Sequence, residues 1–338
     1  MNAPPRLATS WDRVEEVWLK WPEELPPKGL ERAREVMVSL CTALSALERP
    51  HRGPAARLRL LAATEEGQRS AAVALGAIPE ASVWPARSTA PLDGREPVLA
   101  WGAGLRRQLL VGQGAEPGWI EDLGDLAREQ HVPLTPLAFA LERGSLETDG
   151  EGTALLTREH WLRPGWNANF DADRLAALLR EELGLERILW LDRGLRGDPA
   201  HGQVHRVARF LAPGRVLCMR EISDNDPQAG VYRAVRRNLA GQTDAAGRPL
   251  EVIELPAPPD GRSERLFPRS HLGFLRCNQR LVVPTYGQAG MGALREAFAA
   301  AFPAAECVFL RVTPYLEAGG SLHAAALTLP ATLEPLPT

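Results

Sequence analysis

Cysteine and lysine are scarce in this chain of 338 residues, and neither sign of charge dominates. No two of the four cysteines have Cys-x-x-Cys spacing, so the sequence indicates neither a zinc ribbon nor a disulfide framework. The formal net charge is −3, which gives no indication of a surface for nucleic acid or another polyanion. Lys20 and Lys28 are the two lysines, and the other basic residues are arginines.

Long apolar runs are also missing. No stretch approaches the roughly 20 apolar residues that a membrane-spanning helix needs. The N-terminal sequence MNAPPRLATSWDRVEE has no basic segment followed by an apolar one, as a secretory signal would. We therefore expect a soluble, cytoplasmic protein with no membrane or nucleic-acid partner.

What the chain does have is an alternation of helix-like and strand-like segments. Residues 30–47 place apolar side chains on one helical stripe, and Arg57–Ala63 reads as a strand. A helix that ends at Gly184 is followed by the strand Arg187–Leu191. The pattern predicts an α/β fold. We expect a lead over residues 1–9, one domain over 10–330 and a tail over 331–338.

Four groups of motifs occur in order along nearly the whole chain. They are SWDRVEEVWLKWP (Ser10–Pro22), LERGSLETDGEGTALLT (Leu141–Thr157), GDPAHGQVHRVARFLAPGRVL (Gly197–Leu217), and SHLGFLRCNQRLVVPTYG (Ser270–Gly287) together with GGSLHAAALT (Gly319–Thr328). They resemble motifs of the agmatine deiminases and of the related Porphyromonas-type peptidylarginine deiminases. The second resembles that family's E-G-G-S-x-x-x-D-G-x-G-T, and the last its G-G-G-I-H-C-I-T.

This resemblance implies a five-bladed α/β propeller of the pentein type, formed as a single domain around a central pocket. It also implies a reaction without a cofactor. In the family a cysteine thiolate attacks a guanidinium carbon, a histidine transfers protons, and carboxylates hold the cationic group.

The residues at the matching positions differ from that chemistry. Ala324 occupies the nucleophile position, and Gln203 occupies the position of the acid/base histidine. His205 stands where the family has a carboxylate, and a looser alignment puts Ser88 where it has another. Glu142 is kept. An alanine cannot attack and a glutamine amide does not exchange protons near neutral pH, so the sequence predicts a catalytically degenerate member, a pseudoenzyme.

The predicted ligand pocket consists of Ser88, Glu142, Gln203, His205, His323 and Ala324. Without its full set of carboxylates, it should prefer a neutral or partly anionic polar ligand. The same non-catalytic hypothesis includes a role in pairing with an active paralogue or another protein. Another hypothesis is that the chain retains weak deimination of agmatine or peptidyl-arginine.

A remodelled enzyme is the remaining alternative, with metal as its most specific form. His201 and His205 are four residues apart, and His271, His323 and Glu142 belong to other pocket motifs. That spacing brings two histidines together only on a helix, so we expect no metal site. The four cysteines are expected to be buried, unreactive side chains. GQGAEPG (Gly112–Gly118) lacks the ending of a phosphate loop and an obvious following helix, which favours a plain turn.

Overall fold

The computed structural model describes residues 6–24, 27–45, 56–88, 98–103, 106–114, 117–259, 267–313, 322–323 and 325–331. Its strands are β1 (Arg6–Leu7), β2 (Val14–Lys20), β3 (Arg57–Ala62), β4 (Ala81–Pro85), β5 (Val98–Ala103), β6 (Arg106–Gln113), β7 (Leu134–Ala140), β8 (Leu146–Thr148), β9 (Thr153–Thr157), β10 (Arg187–Leu191), β11 (Ala208–Ala212), β12 (Arg215–Arg220), β13 (Glu251–Pro256), β14 (Leu275–Cys277), β15 (Arg280–Thr285), β16 (Glu306–Arg311) and β17 (Ala326–Pro330). Its helices are α1 (Pro27–Leu44), α2 (Glu65–Leu75), α3 (Pro117–Glu129), α4 (Arg158–Trp161), α5 (Ala172–Leu183), α6 (Ala229–Leu239) and α7 (Met291–Ala301).

The strands form five small sheets that repeat one pattern. Their orders are β17-β2-β3-β4, β1-β5-β6-β7, β10-β9-β8, β11-β12-β13 and β14-β15-β16. In each sheet one strand pairs antiparallel with a second, which pairs parallel with a third. The α/β fold is thus confirmed, and the five repeated units correspond to the five blades that the resemblance implies.

The two ends of the chain meet in the first of these sheets. β17, from the C-terminal part, pairs antiparallel with β2, so that Ala326 lies opposite Leu19. β1 pairs with β5 of the next sheet, so that Arg6 and Leu7 form part of that blade. Pairing between N-terminal and C-terminal strands brings distant parts of the chain into one unit. The bounds at residues 9, 10, 330 and 331 remain predictions.

Helix α5 shows how closely local signals follow the sequence. Asp171 caps its start by accepting the Arg174 N–H at 2.8 Å. Gly184 ends it in the left-handed conformation at φ 68°, which glycine adopts without strain. Its leucine stripe is buried against the sheet (Leu175, Leu178, Leu179, Leu183).

Helix α3 corrects the sequence interpretation of GQGAEPG. Gly112 belongs to strand β6, and a helix of 13 residues begins at Pro117, within the last two residues of that stretch. Trp119, Leu123 and Leu126 form its buried stripe. The periodic signal was present in the sequence, but Gly118 and Gly124, poor helix formers, weaken it. Proline is favoured in the first turn of a helix, where its missing N–H has no intrahelical partner to lose.

The core consists of four buried clusters between sheets and helices. Cys41, Cys218 and Cys277 are buried within two of them, and Cys307 is half-buried against one. Burial raises the pKa of Cys41, Cys218 and Cys277 to about 12 and also raises that of Cys307. The cysteines therefore behave as the unreactive core residues that the sequence predicted. Within the described ranges, no helix combines the length and the apolar character needed to cross a membrane.

Candidate functional site

The predicted pocket residues share one position in the fold. Glu142 precedes β8, Gln203 and His205 precede β11, and His323 precedes β17. Each of these strands begins a blade and runs antiparallel to its neighbour. Repetition of the blade therefore brings residues that are far apart in sequence to one end of the propeller.

Glu142 is buried and its two carboxylate oxygens are already engaged. Oε1 accepts from Arg163 Nη2 at 3.1 Å, and Oε2 accepts from Gln203 Nε2 at 3.1 Å. His160 Nε2 lies 3.6 Å from Oε2. The carboxylate thus has an internal guanidinium on one side and an amide on the other.

Arg163 is held in place by more than this ion pair. Nη1 donates to the His160 carbonyl at 3.0 Å, and the guanidinium carbon lies 3.8 Å from the centre of the Trp166 ring. Burial lowers the pKa of Arg163, while Glu142 opposes that effect. A planar cation with a carboxylate and an aromatic face as neighbours is a well-satisfied arginine.

Gln203 is positioned by a carboxylate-centred loop. Asp198 accepts the backbone N–H of Ala200 at 3.0 Å, of Gly202 at 3.2 Å and of Gln203 at 3.1 Å. Three backbone donors on one carboxylate fix the loop before β11. The Gln203 side chain is fully buried, and its Nε2 donates to Glu142.

Gly144 lies against the side chains of Gln203 and His205. A Cβ at this position would be 2.5 Å from Gln203 Oε1 and 2.7 Å from His205 Nδ1, so only glycine fits. The Gly144 carbonyl lies 3.1 Å from His205 Nδ1. A carbonyl can only accept, so we assign the ring proton to Nδ1, and Nε2 of His205 then carries a lone pair.

The histidines around this cluster are neutral. Burial lowers the pKa of His205 and of His323 well below the usual range, with nearby arginines acting in the same direction. Burial also lowers the pKa of His160 to about 3. His205 and His323 lie ring against ring with centroids 4.7 Å apart, a contact that two protonated imidazoles would not favour.

The buried groups of the cluster leave three acceptor atoms without a donor among the described residues. They are Nε2 of His160, Oε1 of Gln203 and Nε2 of His205. His160 Nδ1 lies 3.1 Å from the Ala200 carbonyl, which fixes its tautomer in the same way as that of His205. Besides the engaged Glu142 carboxylate, the described residues of the cluster offer neutral hydrogen-bond acceptors and no thiol.

The predicted metal alternative finds no support in this geometry. Among the described residues, no group of three or more His, Cys, Asp or Glu side chains is placed to hold a metal ion. His201 is exposed at φ 58°, whereas His205 is buried. His271 lies 2.7 Å from the Pro284 carbonyl and packs on the Tyr286 ring. The segment before β11 is not a long helix, so His201 and His205 do not share a helical face. His271 belongs to a different segment of the chain.

Ser88 and Ala324 are two further residues of the predicted ligand pocket, and the structure describes the first of them. Ser88 is buried beside helix α3, where its N–H lies 3.3 Å from Asp122 Oδ2. No contact among the described residues joins Ser88 to Glu142, Gln203 or His205. Ala324, the predicted nucleophile position, lies outside the described residues.

Sequence reasoning missed Arg163 and His160. Both are in the stretch REHWLRPGWN after β9, which carries no motif that was assigned to the pocket. Their contact with Glu142 depends on how α4 turns back toward β8. Arg143 was also missed, although the sequence did contain a signal for it: E-R-G-S replaces E-G-G-S.

Comparison with known proteins agrees with this architecture. The profile of the Porphyromonas-type peptidyl-arginine deiminases matches residues 6–330. The chain belongs to that family. A Legionella pneumophila protein named "Putative agmatine deiminase" is 34% identical over 199 residues, which is 57% of this chain and 55% of that protein. The matched region thus spans about half the length of such curated relatives.

Solved structures match over almost the full chain. The agmatine deiminase of Enterococcus faecalis superimposes with a TM-score of 0.84 at 22% identity, covering 96% of each chain. The structure of C. jejuni agmatine deiminase superimposes with a TM-score of 0.81 at 18% identity, again covering 96% of each chain. Likeness at this level of identity shows the fold, and the pentein-type α/β propeller is confirmed.

Proposed function

We propose that this chain is a non-catalytic member of the deiminase family that binds a small polar ligand in the Glu142 cluster. The observation that carries the proposal is the Glu142 carboxylate, which is already bonded to Arg163 and Gln203 at 3.1 Å each. A substrate guanidinium would have to displace an internal guanidinium from the same oxygen.

The catalytic groups that the resemblance implies are replaced as well. Ala324 has no nucleophilic atom, and Gln203 donates a hydrogen bond where the family has its acid/base histidine. His205 is buried and neutral where the family has a carboxylate. Groups that act together in catalysis leave little of their joint rate enhancement when several are lost. The names of the relatives favour deimination, which is therefore the competing hypothesis.

The unpartnered acceptors define the ligand that we expect. Gln203 Oε1, His205 Nε2 and His160 Nε2 call for N–H or O–H donors, because buried acceptors without donors are costly. A neutral amide or ureido group supplies donors without the desolvation cost of a second guanidinium. A protein partner that carries the intact catalytic set is the alternative route to a biological role.

Activity is tested by ammonia release from agmatine and from peptidyl-arginine, with the E. faecalis enzyme as positive control. We expect this chain to match the blank without enzyme. Product formation that is lost in Glu142→Gln would overturn the proposal. The variant Ala324→Cys/Gln203→His/His205→Asp tests whether the replaced residues alone account for inactivity.

Binding is tested by titration calorimetry with agmatine, citrulline and N-acetylated amides. We expect saturable binding of a neutral compound to the wild type and no binding of agmatine. Arg163→Ala should allow agmatine to bind, because it frees one side of the Glu142 carboxylate. If wild type binds agmatine and Arg163→Ala leaves that affinity unchanged, the internal ion pair does not control the site. If no compound binds, the ligand-binding role is wrong and the protein-partner alternative gains support.

A further inference from the structure

A cavity lies where the five blades come together. It has a volume of about 110 Å³ and is lined from every sheet, including Ala100 of β5, Thr148 of β8, Arg209 of β11, Arg276 of β14 and Leu327 of β17. Contributions from all five sheets place it near the axis of the propeller. Glu142, Gln203 and His205 are not among its described lining residues.

Basic side chains outnumber carboxylates among the described residues that line this cavity. The described lining contains Arg143, Arg209 and Arg276 but a single carboxylate, Glu147. Glu147 Oε1 accepts from Arg209 Nε at 2.9 Å, so its charge is committed to that arginine. Arg209 also donates to the Phe274 carbonyl at 2.7 Å.

Arg276 is the arginine that this network does not satisfy. Among the described residues, no carboxylate lies within ion-pair distance of Arg276, and its Nε is buried without a hydrogen-bond partner. Its one recorded ring contact is to Phe302, whose centroid is 6.0 Å away. Burial lowers the pKa of Arg276, and the positive charge of Arg209 lowers it further. A partly buried guanidinium under the influence of a second positive charge is destabilised unless an anion compensates it.

We propose that the axial cavity binds a small oxyanion, held by the guanidinium group of Arg276 with Arg209 and Arg143 beside it. Guanidinium is the side-chain group best suited to the two oxygens of a carboxylate or phosphate. Ser10 and Thr328 also line the cavity, and their hydroxyls can donate to such a ligand.

The size and the remaining lining restrict the ligand to a few heavy atoms. Leu7, Leu275 and Leu327 form apolar walls, which suit the carbon chain of a short organic carboxylate. Inorganic phosphate offers the same charge without the carbon chain. Ala8, Thr9 and Ser10 are only partly buried.

This site is independent of the proposed function in the Glu142 cluster. His323 belongs to both regions, since it lines the cavity and its ring contacts His205. Its carbonyl accepts from Arg143 Nη1 at 3.1 Å. The oxyanion itself would bind on the Arg276 side, so its binding can be measured whether or not the Glu142 cluster has a ligand.

The test is titration calorimetry and thermal unfolding with acetate, succinate and phosphate, at constant ionic strength set by chloride. We expect saturable binding of at least one probe to the wild type. Arg276→Leu should weaken that binding about 10- to 100-fold, the usual effect of losing one charge-assisted contact. Comparison of succinate with phosphate then identifies which kind of oxyanion the cavity prefers.

Arg220→Leu is the matched control, since Arg220 is on β12 with 61% of its side chain exposed. It should leave probe binding unchanged. Without a probe, Arg276→Leu should unfold at the same temperature as the wild type or higher, because it removes an unpaired charge beside Arg209. Binding that is unaffected by Arg276→Leu, or absent for all three probes, would overturn the proposal.

Discussion

The Glu142 cluster and the axial cavity lie close together, but they differ in how their buried charges are paired. In the cluster, Arg163 and Gln203 saturate the carboxylate from within the chain. In the cavity, Arg276 has no ion-pair partner among the described residues, since Glu147 pairs with Arg209. A buried charge that is paired internally resists a charged ligand, whereas an unpaired one favours a ligand of opposite charge.

Arg163→Ala should have the largest effect on stability. It leaves the buried Glu142 carboxylate without its cation, and breaking such a pair costs about 3 kcal/mol of the free energy of unfolding. Urea unfolding measures the change. Arg180→Ala breaks an exposed pair with Glu186 and should change stability little. Equal losses in the two variants would mean that Glu142 does not depend on Arg163.

Glu147→Gln tests the cavity from the opposite side. It removes the one described carboxylate that offsets Arg209, and we expect a loss of about 2 kcal/mol, because the glutamine oxygen can still accept from Nε. The cavity becomes more positive, so the affinity for phosphate or succinate should rise. Glu251→Gln, in an exposed pair with Arg215, is the matched control. Weaker probe binding in Glu147→Gln would contradict the charge argument.

A smaller effect on stability is expected from a change in pH. It acts through His271, which belongs neither to the Glu142 cluster nor to the axial cavity. Burial lowers the pKa of His271 to about 4 from 6.5. Since the unfolded chain binds the proton more readily, stability is complete above pH 6.5 and falls as pH drops toward 4. At pH 5.5 the loss from this group is about 1.4 kcal/mol.

The measurement compares urea unfolding at pH 7.5 and 5.5 for the wild type and for His271→Asn. The asparagine amide can still donate to the Pro284 carbonyl, so the comparison isolates the titration. We expect a flatter pH dependence in the variant. An unchanged dependence would show that His271 is not held neutral in the folded state.

The sequence identified most of the parts but not their pairing. Motif order predicted the family and the blades, and helix α5 followed its Asp171 cap and Gly184 stop because those signals are local. Helix α3 was missed because two glycines weaken its pattern. Glu142 and Gln203 were assigned to one pocket by resemblance, and the structure joins them by a hydrogen bond.

By itself the sequence determined which chemical groups are available, among them the methyl group of Ala324, the amide of Gln203 and the carboxylate of Glu142. Only the tertiary structure decided which of them neutralise one another. Arg163, which follows α4, pairs with Glu142, which precedes β8, and Arg276 and Arg209 line one cavity although they belong to different blades. Charge pairing depends on distances between atoms and on burial, and neither is encoded in the spacing of residues along a chain.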